Sequence, residues 1–286
     1  MTQPIRLQEM NEGIKIAILD MYNGHANEGM RCIKTITGRF LAQENIERNY
    51  DVFDVRQKNE VPDLSYDIYI SSGGPGNPVP QGDAWETPFY NLLDSIWNYN
   101  LKPENEQKKY LFLICHSFQV AADYWDLGKV CKRRTTSFGI FPMHRTLIGH
   151  DEELFQNLPE LFYAVDSRDY QLIEPNLNHL DKMGANILCI EKDRPNIALE
   201  RAIMAIRFSE HIFGTQFHPE ADAEGMLRYF AKAEKRNSVI ENHGEEKYND
   251  MVRSLQDPEK IVATEIAILP SFLTIAAEQL LGVEVI

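Results

Sequence analysis

Tyr110-Leu-Phe-Leu-Ile-Cys115-His-Ser-Phe-Gln119 is an apolar run of strand length that delivers a cysteine to its end, with helix-like sequence following at once. A sharp strand-to-helix turn there pushes the cysteine side chain out of a sheet. The unsatisfied N–H groups of the helix N-terminus then favour its thiolate, which makes Cys115 a candidate nucleophile. Taken by itself the segment reads more readily as a small buried hydrophobe, the usual fate of a free cysteine.

Two distant stretches bear on that choice. Downstream, His211-Ile-Phe-Gly-Thr-Gln-Phe-His218-Pro-Glu220 is a strand-like run ending in a histidine with a carboxylate two residues on. Cysteine catalysis needs an imidazole to move the thiol proton and a third group to fix its tautomer, and His218 and Glu220 supply both. Upstream, Asp67-Ile-Tyr-Ile-Ser71-Ser-Gly73-Gly74-Pro-Gly76 runs a strand into a glycine-rich turn. The Gly74 backbone N–H there, with that of His116 after the nucleophile, makes a candidate oxyanion hole.

These stretches resemble the class I (triad) glutamine amidotransferase family over roughly residues 14 to 230, with Ser72 to Gly76, Leu113 to Gln119 and Gln216 to Glu220 as the matching motifs. Gly139-Ile-Phe-Pro142 and Ala205-Ile-Arg-Phe208 are similar to segments of its stand-alone, guanylate-synthase-like members. The resemblance implies Gln119 as a substrate-holding residue and glutamine or a related small amide as substrate, and it leaves two alternatives for an acceptor-modifying synthase: a separate chain, or none. Two departures stand out. Leu113 and Ser117 occupy elbow positions where the family has glycine, which predicts crowding at the turn. Ser167, in Asp166-Ser-Arg-Asp169, stands where the family commonly has histidine, which leaves contacts to the amino-acid end of the substrate unassigned.

With 286 residues the chain can hold one large α/β domain with an extension. Its 29 basic and 43 acidic residues give a net charge of −14, a poor balance for nucleic acid. Cys32, Cys115, Cys131 and Cys189 are widely spaced, which argues against a disulfide framework or a zinc site and suits a reducing cytoplasm. The segment Met1 to Glu9 lacks a signal-peptide core, and by this reading no later apolar run approaches the ~20 residues that span a bilayer, so no membrane is expected. No phosphate loop and no histidine ligand spacing occur, so neither cofactor nor metal is expected. His116, His144 and His150 read as surface or loop side chains.

Gly13 to Asp20, Tyr50 to Val55 and Tyr66 to Ile70 read as further strands, alternating with helical spacing at Met30, Ile33, Ile36, Phe40 and Leu41 and at Pro88 to Tyr99. That rhythm predicts an α/β fold: a mostly parallel open sheet with helices on both faces, and ligands outside the carboxyl ends of its strands. Beyond Trp125 the runs shorten into a smaller antiparallel region: Lys129 to Lys132, Phe138 to Met143, Leu161 to Val165, Gln171 to Ile173, Ala185 to Ile190, Ala202 to Phe208 and Ile212 to Phe217. Ala223 to Lys235 reads as a helix, 236–249 as a linker or exposed helix, and Ile261 to Leu281, interrupted at Pro270, as one or two helices. The boundary of the amidotransferase-like domain is set at 235, with 236–286 a helical extension that packs on the domain or on a second copy of the chain.

The leading expectation is a cysteine-dependent amidase that releases ammonia from glutamine through a thioester. Two alternatives use the same residues differently. One is acyl transfer to a small amino acid, since homoserine O-acyltransferases share this fold and elbow. The other is a binding or regulatory module that keeps the triad while Leu113 and Ser117 spoil the elbow.

Overall fold

The computed structural model describes residues 13–44, 50–193 and 200–282, so the reading of Met1 to Glu9 falls outside the described residues. In chain order the elements are β1 (Ile16–Asp20), α1 (Gly29–Gln43), β2 (Tyr50–Asp54), α2 (Val55–Lys58), β3 (Ile68–Ser71), α3 (Glu86–Leu101), β4 (Tyr110–Ile114) and α4 (His116–Tyr124). Then follow β5 (Lys129–Arg145), α5 (Leu147–His150), β6 (Phe162–Ile173), α6 (Leu177–Met183), β7 (Asn186–Ile190), β8 (Ile203–Ser209) and β9 (Ile212–Thr215). The chain closes with α7 (Ala223–Ala231), α8 (Ala233–His243), α9 (Glu245–Gln256) and α10 (Pro258–Leu281).

β1, β3 and β4 are near-continuous apolar runs buried along their length, as parallel strands covered on both faces must be. Alternate side chains divide between two cores. Ile16, Ile18, Ile70 and Phe112 meet Ile33 and Phe40 of α1 on one face, and Leu19, Tyr69, Leu111 and Leu113 meet Phe89 of α3 and Phe118 of α4 on the other. The described strands form a single sheet in the order β2-β1-β3-β4-β9-β8-β7-β5-β6. Pairing is parallel from β2 to β9 and antiparallel from β9 to β6. The α/β class expected from the sequence is therefore the fold observed.

The antiparallel region differs in detail. Lys129 to Lys132 and Phe138 to Met143 are parts of one long strand, β5, with an irregularity between Lys132 and Ser137. Leu161 to Val165 and Gln171 to Ile173 likewise merge into β6. Charged residues that look like breaks in the sequence are buried inside these strands. Arg168 donates to Asp166 at 2.9 Å and reaches Glu191 at 3.2 Å, and Arg133 reaches the same Glu191 oxygen at 3.2 Å. Two guanidiniums and two carboxylates thus neutralise each other where an apolar pattern would have continued the strand visibly.

The tail is helical throughout its described length. The helix expected over Ala223 to Lys235 ends at Ala231, where Lys232 turns extended, and the polar stretch 236–249 belongs to α8 and α9, separated by Gly244 in the left-handed region at φ +85°. α10 enters the same core as β1, β3 and β4: Ile268, Leu269 and Leu273 are fully buried, and the Phe272 ring lies 5.1 Å from that of Phe112. Tyr110 of β4 hydrogen-bonds Gln279, and Thr264 donates to the Tyr163 carbonyl at 2.5 Å. Val262 and Ile266, expected to pack, are instead 37% and 63% exposed. Pro270 does not end the helix. The carbonyl it leaves without an N–H belongs to Ile266, on the exposed side where water can serve it. Contrary to the reading of the apolar runs, Lys260–Leu281 is long and apolar enough by composition to cross a membrane, yet half of that stretch is buried inside the protein.

Candidate active site

Cys115 sits between β4 and α4 at φ 49°, ψ −96°, a conformation that non-glycine residues rarely adopt. Such strain persists only where neighbours over-determine it. Here the Cys115 N–H donates to the Thr215 carbonyl of β9 at 2.7 Å. Ser117 Oγ accepts from the Ile114 N–H and donates to the Ser71 carbonyl at the end of β3, both at 2.9 Å. The crowding expected from Leu113 and Ser117 is absent. The serine hydroxyl stitches the turn to the neighbouring strand, while Leu113 points into the core and pairs across the sheet with side-chain-free Gly214.

β9 carries the chain to His218, whose N–H is held by the Val165 carbonyl of β6 at 2.8 Å. His218 Nδ1 lies 2.8 Å from Glu220 Oε1, and the carboxylate is fully buried. Cys115 is the second group whose charge acts on the imidazole. Burial by itself would lower the His218 pKa. The Glu220 carboxylate first, then the Cys115 sulfur, together with the hydrogen bond to Glu220, outweigh it and hold the pKa well above its ordinary value, which favours imidazolium beside the sulfur. Glu220 Oε2 is buried without a hydrogen-bond partner among the described residues.

The glycine turn passes beneath this pair. Ser72 ties it to β1 by donating its N–H to Leu19 O at 3.0 Å and accepting the Met21 N–H on Oγ at 2.9 Å. A Cβ at Gly73 would lie 2.8 Å from His218 Cε1 and 3.5 Å from Cys115 Cβ, so the backbone approach there admits only glycine while the imidazole stays in place. At Gly74 a Cβ would collide with the Met21 carbonyl. Arg56 Nη1 clamps the turn by donating to Met21 O at 3.2 Å and Pro75 O at 2.5 Å, with its guanidinium 5.3 Å over the Trp85 ring. The Trp85 ring also lies 6.3 Å from the His116 imidazole.

His116 is thus no surface residue: it is buried, and burial together with the Arg56 charge pushes its pKa down to about 3, so the ring is neutral. His144 is half-buried and His150 exposed. Gly74, His116, Gln119, Cys115, His218 and Glu220 all line one cavity of about 460 Å³. Gln119 has a side-chain partner as well as a place on the cavity wall. It faces that cavity, but its Nε2 donates to Gln216 Oε1 at 2.7 Å, and Gln216 Nε2 in turn donates to Cys115 Sγ at 3.6 Å.

Sequence reasoning missed three contributors. Gln216 lay inside a quoted motif without a role. Tyr22 follows β1, and its hydroxyl reaches the space beside Gly29 and Gly73; burial first, then Glu220 and Cys115, raise its pKa, so it remains a neutral donor. Ser167 of β6 lines the cavity and accepts from Cys115 Sγ through its backbone carbonyl at 3.7 Å, a backbone contact that no side-chain pattern in the sequence signals. Cys32 also lines the cavity, but burial pushes its thiol up to about 12, which leaves it an inert neighbour of Cys115.

The family model described as glutamine amidotransferase class-I matches residues 33–233. Comparison with curated proteins returns no match. Among solved structures, a glutamine amidotransferase from Thermotoga maritima superposes with a TM-score of 0.61 at 15% identity, covering 94% of this chain and 100% of that one. A glutamine amido transferase from Methylobacillus flagellatus gives 0.55 at 15% identity, covering 94% and 93%. The glutaminase domain of Trypanosoma brucei CTPS, solved with bound acivicin, gives 0.51 at 16% identity, covering 78% and 94%. At these identities the likeness establishes the fold.

Proposed function

The chain belongs to the class-I glutamine amidotransferase family, and on that premise we propose that it hydrolyses the side-chain amide of glutamine through Cys115. The observation that carries this reading is the His218–Glu220 pair, closed at 2.8 Å and turned toward a cysteine held at φ 49° on a strand-to-helix elbow. The Cys115 thiolate attacks the amide carbon. Negative charge that develops on the amide oxygen is met by the N–H groups of Gly74 and His116. As the C–N bond breaks, His218 gives its proton to the departing nitrogen and ammonia leaves a glutamyl thioester on Cys115. His218, now neutral and held in one tautomer by Glu220, takes a proton from water as the water attacks; glutamate departs and the sulfur is freed.

Gln119 holds the substrate with the part of its amide that is not bonded to Gln216. The ammonia passes to an acceptor activated on a separate chain, one of the two arrangements the family resemblance leaves open. The test is glutamate release from glutamine by the purified protein, with Cys115→Ala as control and, if the protein alone is silent, repetition with co-purifying chains. Release by the wild type that vanishes in Cys115→Ala supports the reading, and equal release by both removes it.

A further inference from the structure

Family resemblance assigns Gln119 to the substrate and assigns Gln216 nothing, yet the two side chains form a buried relay that ends on the nucleophile. Gln119 Nε2 donates to Gln216 Oε1 at 2.7 Å, and Gln216 Nε2 donates to Cys115 Sγ at 3.6 Å. Both side chains are almost wholly buried, Gln119 at 3% and Gln216 at 0% exposure, so water does not compete for these bonds. An amide has one acceptor end and one donor end. Once Gln119 occupies the oxygen of Gln216, the NH2 group of Gln216 is the end left to face sulfur.

We infer that Gln216 is a further catalytic residue, donating a hydrogen bond to the Cys115 thiolate, and that Gln119 is the positioning residue that holds it in the donating orientation. The sulfur then has three neighbours with separate tasks. His218 exchanges its proton. The Ser167 carbonyl, 3.7 Å away, accepts from the S–H of the thiol form and offers nothing to the anion. Gln216 does the reverse, since a donor stabilises the thiolate more than the thiol. The bond also fixes where the sulfur points. Thr215, one residue earlier, is locked by its carbonyl to the Cys115 N–H and by its hydroxyl, which donates to Phe217 O at 2.9 Å, so the backbone that carries Gln216 is tied to the elbow itself.

The proposal rests on Cys115 being the nucleophile, but alkylation reports on the sulfur whether or not glutamine is hydrolysed, so the two claims fail separately. The experiment measures the rate of Cys115 alkylation by iodoacetamide against pH, read by mass spectrometry of the Cys115 peptide, for the wild type, Gln216→Met, Gln119→Met and the double variant. A lost hydrogen bond to an anion moves the pH of half-maximal reaction up by about one unit in Gln216→Met, a roughly tenfold slower reaction at pH values below both midpoints. Gln119→Met gives a smaller shift in the same direction. Gln216→Met leaves the buried Gln119 amide unpaired and is the variant most at risk of misfolding; the double variant removes both amides together and keeps the test available. Profiles for Gln216→Met and the double variant that coincide with the wild type overturn the donor role. An unchanged alkylation profile in Gln119→Met, with KM for glutamine raised and kcat kept, overturns the positioning role and returns Gln119 to the substrate alone.

Discussion

The parallel and antiparallel halves of the sheet each deliver part of the site, and they do so by different physics. In the parallel half, Cys115 and the Gly73–Gly74 turn lie at the ends of adjacent short, apolar strands, β4 and β3, and their positions follow from contiguous residues. In the antiparallel half, His218 lies beyond the end of β9 and is held by a lone backbone pairing with Val165 on β6, a strand whose middle contains a buried Asp166–Arg168 pair. Both halves bury hydrocarbon, and the antiparallel half adds to it a buried, compensated charge cluster. The seam between β4 and β9 brings the two contributions together.

The harshest way to break the parallel half is to remove the helix that covers it. Truncation after Lys235 deletes α10, whose Ile268, Leu269, Phe272 and Leu273 are buried against β1, β3 and β4. At ~1.5–3 kcal/mol for each such side chain, four of them amount to most of the ~5–15 kcal/mol that holds a typical domain together. The truncated chain is expected to lose cooperative thermal unfolding; an unchanged Tm would contradict the packing described.

The matching blow to the antiparallel half is Arg168→Met, which takes from the buried Asp166 carboxylate its guanidinium partner and leaves it the Ser137 hydroxyl and the more distant Arg133 charge. Breaking a buried pair from one side costs about 3–5 kcal/mol, whereas Arg168→Met with Asp166→Leu removes both charges and should recover much of it. Urea denaturation of the two variants measures the difference, and equal losses would show that the charges are not coupled.

Gly73→Ala sharpens the comparison at the seam. Its Cβ would sit 2.8 Å from His218 Cε1, so the imidazole must move while the core stays as it is. Displacement of a catalytic group by an ångström costs on the order of 100-fold in rate. Glutaminase turnover should fall by that amount with Tm nearly unchanged; full activity would place the base elsewhere.

The smallest effect concerns His116. Its pKa is depressed from 6.5 to about 3 in the folded protein, so between those values the unfolded chain binds a proton that the folded one does not. Stability from this group therefore falls as pH drops through that window, by at most about 1.4 kcal/mol per pH unit, and is level above it. His116→Asn should flatten the acid limb of Tm against pH relative to the wild type. Parallel limbs would mean that the ring is protonated or solvated in the folded state.

This division also explains what was legible beforehand. β1, β3, β4, α1 and α3 announce themselves because their apolar periods are uninterrupted, and the cysteine elbow, the glycine turn and the His218–Glu220 pair each fall on consecutive residues. β5 and β6 were read as fragments because Arg133, Asp166 and Arg168 look like solvated breaks, and only the fold brings Glu191 within reach of both arginines. His116 looked exposed because nothing local signals that Trp85 and Arg56 close over it. The serine at 117 looked like a defect in the elbow until its hydroxyl met the Ser71 carbonyl, a partner 46 positions away.

The proposed hydrolysis passes through a covalent bond between glutamine carbon and Cys115 sulfur, and that bond can be sought directly. Protein incubated with glutamine, quenched in acid within the first turnover and digested should carry a glutamyl adduct on the Cys115 peptide and none on the Cys32, Cys131 or Cys189 peptides, with no adduct in Cys115→Ala. Glutamate released while Cys115 remains unmodified, or an adduct found on another residue, would contradict it.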